Sequence, residues 1–289
     1  MRALVLVGFA LVATVSALVD VNVGYHEAIG IPTAEKIRLA EQEALVAQEE
    51  RIVGGALAPT NSHPYFAGLL ISLVGIVGNS VCGSSLVSAN LAVTAAHCWT
   101  DGRNQATQFL VILGSKFLWT GGTRIPTSNV IMHPQYQPAN LNNDIAVIKL
   151  PYNVLFNSNI QPISLPAANE LWESFVGNWA VAAGFGRTSD AQAGASTVVS
   201  HVSLQVISVA QCQAVFGSNF VVSSTICTNG AGGVGICGGD SGGPLVLNRS
   251  GRPILIGVSS FVAGAGCQLG FPSAFARVTS FNNFINQYL

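Results

Sequence analysis

From Arg51 onward the hydrophobic residues come in short β-rich runs, at 66–73, 109–113, 145–150 and 254–258, broken by Gly, Asn, Ser and Pro. At 202–206, Val202, Leu204 and Val206 alternate with Ser203 and Gln205, the period of a strand with one buried face. Many short strands at this spacing predict closed or sandwiched antiparallel sheets. The two ends of the chain depart from that pattern. Residues 33–50 are rich in Ala, Glu, Gln and Leu, which favour helix, and contain no cysteine. They hold Glu35, Glu41, Glu43, Glu49 and Glu50, out of 13 acidic residues in the whole chain. Phe281, Phe284, Ile285, Tyr288 and Leu289 fall at i, i+3, i+4, i+7 and i+8, which predicts an amphipathic helix docked on the β body, with Ser280 as its N-cap.

At the other end, Arg2 precedes an apolar run over residues 3–15 that closes on Ser16 and Ala17. This is the layout of a secretory signal peptide cut after Ala17; Asp20 interrupts it too early for a membrane anchor. No later segment combines that length and apolarity, so a soluble, exported product with no membrane attachment is expected, and export admits disulfides.

The 289 residues suit one large domain or two ordinary ones. Only 9% are charged, against roughly 25% in an average soluble protein. With 12 basic and 13 acidic side chains there is no net field to attract nucleic acid, and a 49% hydrophobic composition is the opposite of disorder. Six cysteines allow three disulfides in fifteen connectivities. No C-x-x-C or paired-histidine spacing occurs, so a metal site is a weak rival; no metal or cofactor is expected.

The chemistry concentrates in three places. In Gly239-Asp240-Ser241-Gly242-Gly243-Pro244 a serine is framed by glycines, which let backbone approach a substrate and aim N–H groups at one point. Thr94-Ala95-Ala96-His97-Cys98 supplies a histidine beside a cysteine. Asn143-Asp144-Ile145-Ala146 supplies an acid leading into an apolar strand, where it should be partly buried and need a partner. His26, His63, His133 and His201 are given no role, and Asp101 and Asp190, in polar turn-like stretches, are expected to be solvated.

With Arg51-Ile52-Val53-Gly54-Gly55, these motifs make the chain from Ile52 to Leu289 resemble the chymotrypsin–trypsin family of serine endopeptidases. The resemblance implies an all-β fold of two antiparallel six-stranded barrels with a C-terminal helix, the first barrel over about 52–165 and the second over about 166–289. It implies Ser241 as nucleophile, His97 as general base and then acid, and Asp144 as the group that orients His97. Backbone N–H groups of Gly239 and Ser241 would form the oxyanion hole. Cys82 would pair with Cys98, Cys212 with Cys227 and Cys237 with Cys267. Segment 18–51 would be an activation propeptide; cutting Arg51-Ile52 by a trypsin-like enzyme would free the Ile52 ammonium to pair with Asp240. Lacking cysteine, the released segment should not stay tethered.

The same resemblance places Gly235 at the floor of the specificity pocket, and Ser260, Phe261, Val262 and Ser273 in its walls. A floor without aspartate disfavours Lys and Arg; Val262 could narrow the pocket as in elastases, and the loop 260–267 is one residue longer than usual. Phe185 in Gly184-Phe185-Gly186 is similar to insect, especially lepidopteran, midgut chymotrypsins. After Ile52 the basic residues are Lys116 and Lys149 against six arginines, a bias suited to an alkaline gut lumen. The loop after Gly114 lacks acids, so no calcium site is expected, and Asn248-Arg249-Ser250 is a glycosylation sequon.

The leading expectation is a secreted digestive endopeptidase, made as a zymogen and cleaving after large apolar residues. Elastase-like preference for small aliphatic residues stands as the alternative. A non-catalytic homologue acting as a binding cofactor would typically have lost a triad member, and a purely structural disulfide-rich protein would leave the ordered motifs unexplained. Expected partners are protein or peptide substrates, the activating protease and protease inhibitors, with the enzyme itself a monomer.

Overall fold

The computed structural model describes residues 19–21, 24–50, 62–187 and 198–289, without the side chains of 46–50. The expected signal peptide, the Arg51-Ile52-Val53-Gly54-Gly55 motif and Asp190 lie outside the described residues.

The fold is mostly β. The first sheet contains β1 (Phe66–Leu73), β2 (Asn79–Leu86), β3 (Leu91–Thr94), β4 (Ala106–Leu113), β5 (Thr123–Thr127), β6 (Val130–Met132) and β7 (Ala146–Lys149). They are antiparallel neighbours in the order β5-β4-β1-β2-β3-β7-β6. The second contains β8 (Trp179–Gly184), β9 (Ser200–Ile207), β10 (Thr225–Thr228), β11 (Pro244–Arg249), β12 (Arg252–Phe261) and β13 (Ser273–Arg277), closed as β10-β13-β12-β11-β8-β9. The expected pair of antiparallel barrels is borne out as a half-barrel, in which seven strands are distinguished, and a closed barrel of six. The extra strand arises at 128–129, where the run bends: the Asn129 N–H turns back to Thr127 Oγ1, β5 stays on β4, and β6 pairs with β7.

In β9 the alternation seen in the sequence has its cause in burial: His201 and Ser203 face solvent while Leu204 and Val206 are buried. One apolar cluster joins the two bodies, combining Leu69, Ile71, Val93 and Ile148 of the first sheet with Phe185, Val258 and Leu255 of the second. Gly83 on β2 meets Gly243 so closely that a Cβ would lie 3.0 Å from the Gly243 Cα. The Gly83 N–H donates to the Ser241 carbonyl at 2.7 Å, so glycine on β2 and in the serine turn lets the first sheet dock against the second barrel.

Helix α1 (Ile31–Glu50) matches the helical composition of the N-terminal segment, and a π-turn at His26–Gly30 leads into it. Its buried residues Thr33, Ala34, Ile37 and Glu41 share one face, set against the β body. Helix α2 (Val209–Phe216) is capped by the Ser208 hydroxyl, which accepts from the Gln211 N–H. Helix α3 (Val278–Asn286) buries Phe281, Phe284 and Ile285. Two details of the expected C-terminal helix are corrected. It starts directly off β13 with Arg277 at the cap position, so Ser280 lies inside its first turn, and Tyr288 and Leu289 fall beyond its end. Among the described residues no helix is long and apolar enough to cross a membrane.

Candidate active site

Pairing of β3 with β7 puts Thr94 opposite Ala146, so the residues just beyond each strand end, His97 and Asp144, meet. His97 sits on a single 3-10 turn, Ala96–Cys98, which the Cys82–Cys98 disulfide ties to β2. Asp144 is fully buried and takes three hydrogen bonds. The His97 backbone N–H donates to Oδ1 at 2.8 Å, His97 Nδ1 lies 2.7 Å from Oδ2, and the Ser260 hydroxyl donates to Oδ2 at 2.6 Å. A carboxylate only accepts, so the proton of a neutral His97 sits on Nδ1 and Nε2 keeps a free lone pair. Ser260, expected in a pocket wall, therefore also braces the acid.

Ser241 occupies the turn entering β11. Gly242, at φ 77°, donates its N–H to Ser259, and a Cβ there would come within 2.4 Å of the Gly83 carbonyl oxygen, so only glycine fits. Ser241 and His97 line one cavity of about 220 Å³, together with Ser260, Phe261, Val262, Ile236 and Gly238. A second cavity, of about 240 Å³, is lined by Gly235 and Asp240, with Ile236, Cys237 and Cys267 shared between the two. The expected pocket residues are thus divided. Ser260, Phe261 and Val262 stand beside Ser241, whereas Gly235 lies on the other side of the shared wall, with Ser273 buried behind it and accepting from the Ile236 N–H.

Asp240 is half-buried and accepts from the Gly186 N–H at 2.7 Å and the Cys237 N–H at 2.9 Å. Burial outweighs those two donors and pushes its carboxyl up to about 6. Cys212 is bonded to Cys227 and Cys237 to Cys267, completing three disulfides. Cys82, His97 and Cys98 cluster as metal ligands might be sought, but both sulfurs are spent in a disulfide.

One expectation is corrected here, and His26 is placed beside it. Asp101 is buried rather than solvated: burial opposes its charge, but N–H groups of His26, Asn104 and Arg103 together hold its carboxyl low. His26, given no role, is fully buried, with its N–H on Asp101 and Nδ1 2.9 Å from Ser80 Oγ. His63 and His201 bond each other at 2.9 Å, and His133 packs on Phe281 and Phe284.

Sequence reasoning missed Tyr25. Its ring packs edge-on against His97, with centroids 4.8 Å apart, and its hydroxyl donates to the Val81 carbonyl at 2.6 Å. Burial pushes the phenol well above its ordinary range, and the ring lines the same cavity as Ser241. No pattern around Tyr25 in the sequence signals this placement.

The sequence profile of the family described as Trypsin matches residues 52–285. The chain belongs to the trypsin family of serine proteases. It is 39% identical over 241 residues to a collagenase of Hypoderma lineatum, spanning 83% of this chain and 88% of that one. To brachyurin of Leptuca pugilator it is 38% identical over 237 residues, spanning 81% and 96%. The solved structure of HL collagenase superposes with a TM-score of 0.73 at 38% identity, covering 82% of this chain and 97% of that one. This family member is accordingly a serine endopeptidase by kinship, and the part it shares with these relatives is the β body that carries the site.

Proposed function

We propose that the chain is a secreted digestive zymogen, in which residues 18–51 precede a protease domain at 52–289 and cleavage at Arg51-Ile52 by a trypsin-like enzyme activates it. Ser241 attacks the peptide carbonyl, His97 Nε2 takes its proton and returns it to the leaving amine, and Asp144 holds the imidazole in the required tautomer and supports its charge. The Gly239 and Ser241 N–H groups receive the developing oxyanion. After cleavage the Ile52 ammonium pairs with Asp240, relieving the burial that now opposes its charge. The observation that carries the reading is the His97–Asp144 pair, fully bonded, facing the same cavity as Ser241.

Cleavage after large apolar residues is supported by the lining: Arg187 is the one Lys, Arg, Asp or Glu among the described residues around the Ser241 cavity. A Lys or Arg head there would lose its water without gaining a counter-ion, a loss of several kcal/mol, against roughly 1–3 kcal/mol separating apolar side chains by size. A second reading, preference for small aliphatic residues, is favoured by Val262, which lines that cavity. Matched Phe, Leu, Ala and Arg peptides decide between them. We expect kcat/KM highest for Phe and lowest for Arg, with all activity absent from Ser241→Ala; Ala above Phe moves the enzyme to the second reading, and an Arg preference overturns the pocket.

A further inference from the structure

Residues 19–45 do more than delay the chain's maturation. Starting from the N-terminus, Val19 N–H donates to the Val215 carbonyl, the Asp20 carbonyl accepts from Gly264, and Val21 forms an antiparallel bridge to Ala263. The segment thus adds main chain to the same loop whose residues 260–262 line the Ser241 cavity, as an extended peptide does when it augments a sheet edge. Four residues later Tyr25 reaches the catalytic centre. Its ring packs on His97 and lines the same cavity as Ser241 and Gly238, so the phenol fills space that a substrate would have to enter.

The backbone there is helical, with Tyr25 at φ −62° and ψ −49°, and the His26 carbonyl already accepts from the Ile31 N–H. A chain coiled this way cannot lay an extended peptide bond across Ser241, so the segment occupies the centre without offering a bond to cut. Gly30 allows the coil to lie this close: a Cβ there would sit on Ser80.

Beyond the centre a second anchorage begins. Glu41, buried on α1, accepts from the Leu118 N–H at 2.6 Å and the Trp119 N–H at 3.0 Å, and the Trp119 indole donates to the Ala34 carbonyl. Ile37, between them, is fully buried. These contacts join the segment to the β body without any covalent link other than the chain through Arg51, and each of them survives a cut at that bond.

We propose that the segment, once released, is a reversible inhibitor of the mature enzyme, stoppering the Ser241 cavity with Tyr25 and locking on to the 118–119 loop with Glu41. This rests on the reading of Ser241 as nucleophile and of Arg51-Ile52 as the cut. A specific consequence is that the segment binds outside the substrate cleft as well as inside it, so its affinity depends on a loop that no small substrate touches.

The test uses full chain cut by trypsin, with the trypsin then blocked and the protease domain separated. A synthetic peptide of residues 18–51 is added, and both Phe-peptide hydrolysis and tryptophan fluorescence, through Trp119, are followed. The expected result is competitive inhibition and a matching fluorescence change. Tyr25→Ala should weaken both by at least about 100-fold and Glu41→Ala by about tenfold or more, the scale of a central aromatic and a buried charged anchor. Exposed Glu35→Ala should match the wild-type peptide. No inhibition and no fluorescence change at roughly millimolar peptide, far above micromolar affinity, overturns the proposal, as does cleavage of the peptide after Tyr25 or equal potency of the Tyr25→Ala peptide. Fluorescence binding by a cut enzyme that hydrolyses no peptide at all upholds the docking and sinks the catalytic reading instead, which keeps the two failures apart.

Discussion

The two halves of the site are built to different degrees of completion. On the first sheet, Asp144 has donors for both of its oxygens, His97 is fixed by that acid and by the Cys82–Cys98 disulfide, and nothing in the arrangement waits for another group. On the second barrel, Asp240 is half-buried, its partners are two backbone N–H groups, no cation pairs with it among the described residues, and a cavity opens beside it. A carboxylate out of water with only a partial shell of donors is pushed toward its neutral form, as Asp240 is. On the proposed zymogen reading, the contrast says where latency would be stored. The imidazole–acid pair is a finished product of folding, whereas the serine turn is held by a carboxyl still short of a counter-charge.

The sharpest way to break this contrast is to damage the finished half. Asp144→Asn keeps one acceptor but presents an NH₂ group, so His97 is left in the wrong tautomer. Turnover of the cut enzyme should fall about 10⁴-fold with the fold unchanged by circular dichroism. A loss under tenfold would mean the first half is not what positions the imidazole.

The unfinished half makes a smaller, pH-dependent prediction. Asp240 has its folded value raised to about 6 from an ordinary 3.8. The intact folded chain therefore binds more protons than the unfolded one between those values, and its stability falls as pH rises through that window, by about 3 kcal/mol in all. Below the window there is no penalty, and above it the penalty is constant. Asp240→Asn should remove that slope from the intact chain, and cutting at Arg51 should remove it from the wild type, both read by calorimetry from pH 4 to 7. An intact wild-type chain whose pH profile matches that of Asp240→Asn would show that the acid is already satisfied.

The legibility of the sequence divides along the same line. Periodicity located β9 because it buries one face, as Leu204 and Val206 show against His201 and Ser203, whereas strands buried on both faces, such as β1 and β3, read as continuous apolar runs. The three motifs stood out because tight turns need glycine and a buried acid needs partners. Hydrophobic spacing alone overran the C-terminal helix, since Tyr288 and Leu289 continue its pattern past the point where the backbone turns off. Asp101 misled because a polar stretch can fold round a carboxylate and donate to it from the main chain. Tyr25, His26 and Glu41 were illegible for a deeper reason. Each is bonded to residues more than fifty positions away, and pairing across that distance leaves no local period or composition to read.

The central claim is that the intact chain carries a reactive serine that is blocked and unfinished until Arg51-Ile52 is cut. A serine-directed fluorophosphonate probe tests it most directly, because labelling reports the nucleophile and its oxyanion site without any choice of substrate. Intact chain, trypsin-cut chain separated from residues 18–51, Arg51→Gln treated with trypsin, and cut Ser241→Ala would be labelled side by side and the adduct located by mass spectrometry. The account predicts an adduct on Ser241 in the cut wild type and none in the other three. Equal labelling of intact and cut wild type, or an adduct that persists in Ser241→Ala, would contradict it.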